Sequence, residues 1–200
     1  RSYDNAINKT ISAIMNELFD DEVGNIVTSK IHFGLKSVGG FNDEVAVVYA
    51  ILMTLVASKK SKIEFEKLII DVIDSANESG INSIDDYFLN QNIDLSEIKS
   101  KLDYKNSRKI SYIHRIFNQL FYGPSLYEEI FNEKSQFSQS ALIDLDDIVL
   151  DESLIMKLKN RFGRKICTVT GRGNFAFSYS MKNFLNHFDM KNSVFLEDRS

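Results

Sequence analysis

The sequence predicts an α/β protein in which a long helical domain precedes the beginning of a parallel sheet. Through about the first 140 residues, apolar side chains recur at three- and four-residue spacing, which is typical of amphipathic helices. Near the end of the chain, a strand-like run, a glycine turn, a helix and a second strand-like run follow one another. One proline and nine glycines in 200 residues leave long helices mostly uninterrupted, so most of this chain is predicted to be helical.

The helices of the first domain are predicted from their apolar stripes. Ile7, Ile11 and Leu18 mark the first helix, which we expect to end near Gly24. Three of the nine glycines fall between residues 33 and 42, and this stretch is predicted to be a loop. Asn42 or Asp43 would cap a helix at 45–56. A capping box of Ser61 and Glu64 would open a helix at 64–73, and Gly80 would stop it. Further helices are predicted at 84–89, 95–102, 110–121 and 126–131.

The pattern changes after residue 144, where an acidic stretch is interpreted as a linker. A helix at 154–161 leads to predicted strands at 165–169 and 193–196, joined by a helix at 175–188. Two parallel strands need further strands and cover on both faces, and the helical first part supplies none. We therefore predict a helical domain over residues 1–148 and an incomplete α/β core over residues 149–200, in a chain that is cut at both ends.

Composition excludes several classes of function. Asp and Glu number 28 against 24 Lys and Arg, a net charge of −4, and no basic block is long enough to bind nucleic acid. The single cysteine, Cys167, excludes an internal disulfide framework and a cysteine-rich zinc site. No apolar run approaches the ~20 residues that cross a bilayer, and no signal peptide is visible. We expect a cytoplasmic protein without a membrane partner.

The strongest candidate for a site is the turn after the first predicted strand. Thr170, Gly171 and Arg172 stand at the carboxyl end of that strand, where open α/β sheets bind their ligands. A hydroxyl, a guanidinium and the backbone N–H groups of a glycine turn suit a phosphate or a carboxylate. The alternative is a plain strand-to-helix turn in which Thr170 caps the helix and Arg172 is solvated.

Two further segments are weaker candidates. Glu197 and Asp198 close the second predicted strand, where carboxylates bind a metal or a catalytic water, or merely cap the next element. Gly40, Phe41 and Asn42 form a turn that would face a substrate if it is more than a tight connection between helices. From the residues alone, the tight connection is the favoured interpretation.

The histidines and the cysteine form no recognisable site in the sequence. His32, His114 and His187 are far apart and lack the spacing of metal ligands. His114 lies in an apolar helical stripe, and Cys167 within the predicted strand is interpreted as a small buried hydrophobe.

The turn and several other segments resemble one protein family. The run Val169 to Arg172 behind an apolar strand resembles the second motif of haloacid dehalogenase-like (HAD) phosphohydrolases. The chain is similar, in particular, to the helical-cap subgroup related to imidazoleglycerol-phosphate dehydratase. The other similar segments are Arg1 to Tyr3 with Ala6, Ile7 and Thr10, then 39–42, 117–124 and 188–199.

The resemblance implies a Rossmann-like core with a helical cap and a reaction through an aspartyl-phosphate, assisted by Mg²⁺. Thr170 would hydrogen-bond the phosphoryl group, Gly171 would offer its N–H and Arg172 would line the site. The loop of Gly40, Phe41 and Asn42 would face the substrate. The family's Asp-x-Asp nucleophile motif is expected upstream of Arg1, and its lysine and acidic metal motifs downstream of Ser200.

The resulting hypothesis is a phosphatase that acts on a small phosphorylated metabolite, with its nucleophile outside this chain. Two alternatives remain open. One is a non-catalytic helical interaction module, and the other is a HAD-fold phosphomutase or dehalogenase. Apolar stripes that stay exposed would serve a homodimer as readily as a core.

Overall fold

A computed structural model of the chain describes residues 2–104, 111–147, 151–163 and 166–195. Helix accounts for 66% of it and strand for 1%, and the described residues form no sheet. The predicted α/β fold class is therefore wrong, because the described ranges are all-helical apart from one isolated bridge. The described α-helices are α1 (Ser2–Phe19), α2 (Ser29–Ser37), α3 (Glu44–Ser61), α4 (Phe65–Ser75), α5 (Ile81–Asn90), α6 (Ser96–Leu102), α7 (Tyr112–Phe131), α8 (Glu152–Phe162) and α9 (Asn174–Ser180). Short 3₁₀ turns lie at Leu142–Leu145, Leu185–His187 and Met190–Asn192.

The chain divides into two compact units, Arg1–Leu142 and Ile143–Ser200. The sequence analysis placed the change between residues 148 and 149. Residues 148–150 lie outside the described part of the chain.

Helix α3 is the centre of the first unit. Every residue from Val45 to Ala57 is buried, as expected for a helix that is apolar all round. It packs against α1, α2, α4, α5 and α7. The side chain of Asp43 caps its first turn, accepting from Val45 N at 3.0 Å. This cap is one of the two that the sequence predicted.

Two predictions for the first unit fail for local reasons. Residues 33–37 of the loop predicted at 33–42 belong to helix α2, because Thr28 caps this helix and Gly34 admits the side chain of Ile73. The predicted capping box is absent, because Ser61 is the last residue of α3 and its hydroxyl donates to Ala57 O at 2.8 Å. Helix α4 begins at Phe65 without a side-chain cap.

A glycine kink joins the two helices that were predicted at 110–121 and 126–131. They form the single element α7, bent where Gly123 adopts φ 68° and Pro124 follows. A Cβ at Gly123 would lie 2.8 Å from the backbone of Ala141, so this position needs glycine both for its backbone angle and for space.

In the second unit, one isolated bridge joins the described parts of the two predicted strands. A single parallel bridge joins Val169 and Val194, with hydrogen bonds from Thr170 N to Val194 O (3.0 Å) and from Val194 N to Thr168 O (2.8 Å). Val169 is 68% exposed, so no layer covers this pair on that side. Parallel pairing without such cover does not extend into a sheet. The helix predicted at 175–188 also ends early, at Ser180.

Candidate functional site

The turn after the parallel bridge holds the predicted anion-binding residues. The hydroxyl oxygen of Thr170 accepts a hydrogen bond from Arg172 N at 3.1 Å, which fixes the side chain against its own backbone. Among the described residues, the hydroxyl proton of Thr170 has no acceptor. The hydroxyl is therefore oriented and still able to donate.

Gly171 is the exposed corner of this turn. A Cβ built on it meets nothing within 4 Å, and its N–H makes no hydrogen bond to the described residues. The turn therefore holds two neutral donors on neighbouring residues that have no acceptor among the described residues. Such a pair matches the oxygens of a phosphate or carboxylate.

The guanidinium of Arg172 is already engaged. Arg172 forms an ion pair with Asp146, and its Nη1 donates to Ser180 Oγ at 2.7 Å. Both members of the ion pair are about four-fifths buried, with 23% and 17% of their side chains exposed. The carboxylate of Asp146 thus neutralises the charge that the sequence analysis assigned to a bound anion.

A second carboxylate lies two residues earlier, on the 3₁₀ turn Leu142–Leu145. Asp144 accepts a hydrogen bond from Tyr179 Oη at 2.8 Å, and this bond raises the pKa of the Tyr179 hydroxyl, with burial adding to the effect. Asp144 and Asp146 therefore tie the start of the second unit to helix α9 and to the turn before it.

The sequence analysis missed these partners. Asp144 and Asp146 fall in the acidic stretch that was interpreted as a linker, and Ser180 lies within a helix that carried no assigned role. The pair of Arg172 and Asp146 is separated by 26 residues, and no spacing rule connects them. The only available signal was that the acidic stretch and Arg172 carry opposite charge and lie on either side of the helix predicted at 154–161.

The residues of the predicted substrate-facing loop belong to the first unit. Phe41 is fully buried and Asn42 is exposed, with Asn42 Nδ2 donating to Gly39 O at 3.0 Å. A Cβ at Gly40 would lie 2.5 Å from Gly80 N, so Gly40 is a point of close backbone contact. The geometry is that of a packed connection between α2 and α3.

No group of three or more His, Cys, Asp or Glu side chains in the described ranges is arranged to hold a metal ion. Glu197 and Asp198, the carboxylates predicted at the edge of the site, lie outside the described residues.

A buried serine–histidine pair also belongs to the first unit. Ser111 Oγ lies 2.6 Å from His114 Nδ1, and His114 Nε2 lies 3.6 Å from Asp43 Oδ2. The three residues have the order of a hydrolase triad, but Ser111 is fully buried and caps α7 by accepting from His114 N. A nucleophile that no substrate can reach is a structural element.

Comparisons with models of known protein families, with curated proteins and with solved structures find no significant match to this chain. Over the ranges that the structure describes, no helix combines the length and the apolar character needed to cross a bilayer.

Proposed function

We propose that this chain is part of a phosphatase for a small phosphorylated metabolite, with the turn of Thr170 and Gly171 holding the phosphoryl group. The observation that carries the proposal is the pair of donors at this turn. The Thr170 hydroxyl is oriented by Arg172 N, and the adjacent N–H of Gly171 is open to solvent. The resemblance of Val169 to Arg172 to a phosphohydrolase motif supports the same assignment.

In the proposed reaction, an aspartate outside this chain attacks phosphorus, the phosphorus–oxygen ester bond breaks and the alcohol leaves. Water then hydrolyses the aspartyl-phosphate and releases inorganic phosphate. Thr170 and Gly171 donate to the non-bridging oxygens, whose charge must be balanced during both steps. Mg²⁺ is the cofactor we propose for the complete enzyme, with ligands outside the described residues.

Arg172 has a positioning role in this proposal. Its backbone N–H orients the Thr170 hydroxyl, and its guanidinium is held by Asp146 and Ser180. The ion pair anchors the turn to Asp146, near the start of the second unit. Loss of Asp146 would therefore loosen the turn and free a positive charge at the same time.

Phosphate titration of matched variants tests the binding role. We expect the chain to bind inorganic phosphate with a dissociation constant on the order of 1 mM. Thr170→Val keeps the shape and removes the hydroxyl, so affinity falls about tenfold or more, because a hydrogen bond to a charged partner is worth ~1.5–3 kcal/mol. Thr170→Ser keeps the hydroxyl and stays within about threefold. Equal affinity of the Val variant and the wild type would remove Thr170 from the site.

Phosphate release by the full-length protein tests the catalytic role. Sugar phosphates and amino-alcohol phosphates, with and without Mg²⁺, form a suitable panel. We expect Mg²⁺-dependent release from at least one ester and a loss of about tenfold or more in Thr170→Val. Release of halide from 2-haloacids would favour the dehalogenase instead. Conversion of a phosphate ester into its isomer without release of free phosphate would favour the mutase.

A non-catalytic interaction module is the second candidate, and helix α8 favours it. Leu154, Leu158 and Phe162 are 49%, 37% and 54% exposed at a spacing of four residues, so they form one apolar row. A second copy of the chain would bury this row in a homodimer. Sedimentation of wild type and Leu158→Glu separates the outcomes: a dimer that the variant abolishes supports the module, and monomers in both exclude it.

The cytoplasm is the compartment we propose. The thiol of the single cysteine, Cys167, is exposed and not buried as the sequence predicted, and a reducing environment would keep it free.

A further inference from the structure

We propose that the first unit carries a binding site for an aliphatic α-amino acid, between helices α5 and α6. The site is a cavity of about 380 Å³, a volume in the usual range of small-molecule sites. Asp85 of α5 and Lys99 of α6 supply its charged wall, and Phe88, Leu89 and Ile93 supply apolar lining. All five belong to the first unit, so the inference is independent of the proposed phosphate site.

The Asp85 carboxylate is held in place and still has a free oxygen. Its Oδ1 accepts from Tyr49 Oη at 2.7 Å and lies 2.7 Å from Lys99 Nζ. Its Oδ2 has no partner among the described residues and is open to water, since 27% of the side chain is exposed. This oxygen can accept from an ammonium group while the contacts of Oδ1 stay in place.

Lys99 also has unused binding capacity. An ammonium group carries three N–H donors, and the contact with Asp85 uses one of them. The Lys99 side chain is 27% exposed, and no other described residue accepts from its ammonium group. In an α-amino acid the ammonium and the carboxylate share one carbon, so they lie as close together as the two charges on this wall. Such a ligand pairs with both side chains without breaking their ion pair.

The other charges at the cavity are balanced. Asp94 is part of the lining, and its Oδ1 accepts from Ser96 N at 2.9 Å. Lys60 Nζ donates to Asp94 O at 2.7 Å, which brings a positive charge close to the Asp94 carboxylate. Two acidic and two basic side chains therefore surround the site. A ligand that carries both signs of charge complements them better than an amine or an acid alone.

The apolar lining favours an aliphatic substituent on the ligand. Leu89 is 72% exposed and Ile93 is half-buried, above the buried ring of Phe88. A branched aliphatic side chain placed on Leu89 and Ile93 would remove apolar surface from water on both partners. Leucine has such a side chain, and glycine lacks it.

Methyl-detected NMR of the intact chain tests this site, with L-leucine as the probe. The Ile93→Val variant identifies the Ile93 signals. We expect L-leucine to shift them with a dissociation constant on the order of 1 mM at neutral pH. 3-Methylbutylamine lacks the carboxylate and 4-methylpentanoate lacks the ammonium group, so each should bind at least about tenfold more weakly. Glycine should bind at least about fivefold more weakly, because it has no side chain to bury.

Substitutions in the charged wall separate the two contacts. Lys99→Met keeps the methylene stem and removes the ammonium group, so L-leucine should bind no better than 3-methylbutylamine. Asp85→Asn keeps the shape and removes the negative charge, so L-leucine should bind no better than 4-methylpentanoate. Lys101→Met is the matched control, because Lys101 is ion-paired with Glu97 on the same helix and does not line the cavity. The circular dichroism spectra of all three variants should stay those of the wild type.

Three results would each overturn the proposal. The first is no shift of Ile93 at about 20 mM L-leucine, roughly twenty times the expected dissociation constant. The second is equal affinity of the wild type for L-leucine and for either of the compounds that lack one charge. The third is the same loss of affinity in Lys101→Met as in Lys99→Met. None of these results bears on phosphate binding at Thr170.

Discussion

Two glycines bring separate backbone segments of the first unit into contact. Gly40 lies against Gly80, where a Cβ on either residue would lie 2.5 Å from the backbone of the other. Gly80 also adopts φ 61°. This contact, together with the buried ring of Phe41, makes the loop before α3 part of the core.

Gly40→Ala tests that contact. We expect it to lower the free energy of unfolding by about 2 kcal/mol or more, because neither backbone can move away without disturbing its helix. Gly24→Ala is the matched control, since a Cβ there meets nothing within 4 Å. Urea unfolding of both variants measures the difference, and equal stability would show that the segments do not touch.

The alkaline limit of stability depends on a buried tyrosine. Burial, followed by the hydrogen bond to Asp85 at 2.7 Å, raises the pKa of the Tyr49 hydroxyl far above its usual range. The folded chain therefore keeps a proton that the unfolded chain releases above about pH 10. The stabilisation is complete below that pH and is lost as the pH rises toward the folded-state pKa.

Tyr49→Phe removes this titration. We expect the wild type to lose up to about 1.4 kcal/mol of unfolding free energy per pH unit above pH 10 through this group, and the variant to show a slope smaller by that amount. At pH 7 the variant should be less stable by ~1 kcal/mol, because one buried hydrogen bond is missing. Urea unfolding between pH 7 and 11 measures both effects, and parallel pH profiles would contradict the assignment.

At the scale of elements, the apolar stripes predicted helices well and their ends less well. The stripes at 7–18, 45–56 and 110–121 correspond to α1, α3 and the first part of α7. Helix α2 was missed because Gly34 suggested a loop, whereas its contact with Ile73 is a tertiary effect that no local pattern contains. The Ser61–Glu64 box failed because α3 continues through Ser61.

Helix α8 has one anchored residue. Ile155 is 4% exposed, whereas Leu158 on the same helix is 37% exposed. We expect Ile155→Ala to destabilise the second unit by ~2–4 kcal/mol and Leu158→Ala by no more than about 0.5 kcal/mol. Thermal unfolding followed by circular dichroism compares them, and the reverse order would mean that α8 packs through its other face.

At the scale of the whole molecule, the two units differ in how completely they bury apolar surface. The first has a helix buried on all sides, and the second exposes Val169, Met156 and the apolar row of α8. A sheet was expected here because a strand-like run, a turn, a helix and a second strand-like run follow one another in the sequence, as in a βαβ unit. It does not form because a single bridge without neighbouring strands leaves the Val169 side of the pair in water.

Unequal burial has a measurable consequence for the two units. We expect amide hydrogens of α3 to exchange only on global unfolding of the first unit, and those of residues 166–170 to exchange orders of magnitude faster through local opening. Hydrogen exchange followed by mass spectrometry distinguishes the segments. Equal protection would indicate that the bridge between Val169 and Val194 belongs to a stable sheet.

At the candidate phosphate site, features that depend on neighbouring residues in the chain were predicted, and features that depend on the fold were not. The donors at Thr170 and Gly171 were predicted from a motif because they lie next to each other in the chain. The partners of Arg172 were not, because Asp146 and Ser180 reach it only through the fold.

The amide of Gly171 offers the most direct test that this chain recognises phosphate. In a proton–nitrogen NMR spectrum of the intact chain, titrated with inorganic phosphate at constant ionic strength, that N–H gives a signal of its own. We expect the Gly171 signal to move progressively and saturate in the millimolar range, while the equally exposed Gly24 stays in place. A Gly171 signal that does not move, or that moves as much with chloride, would contradict the account.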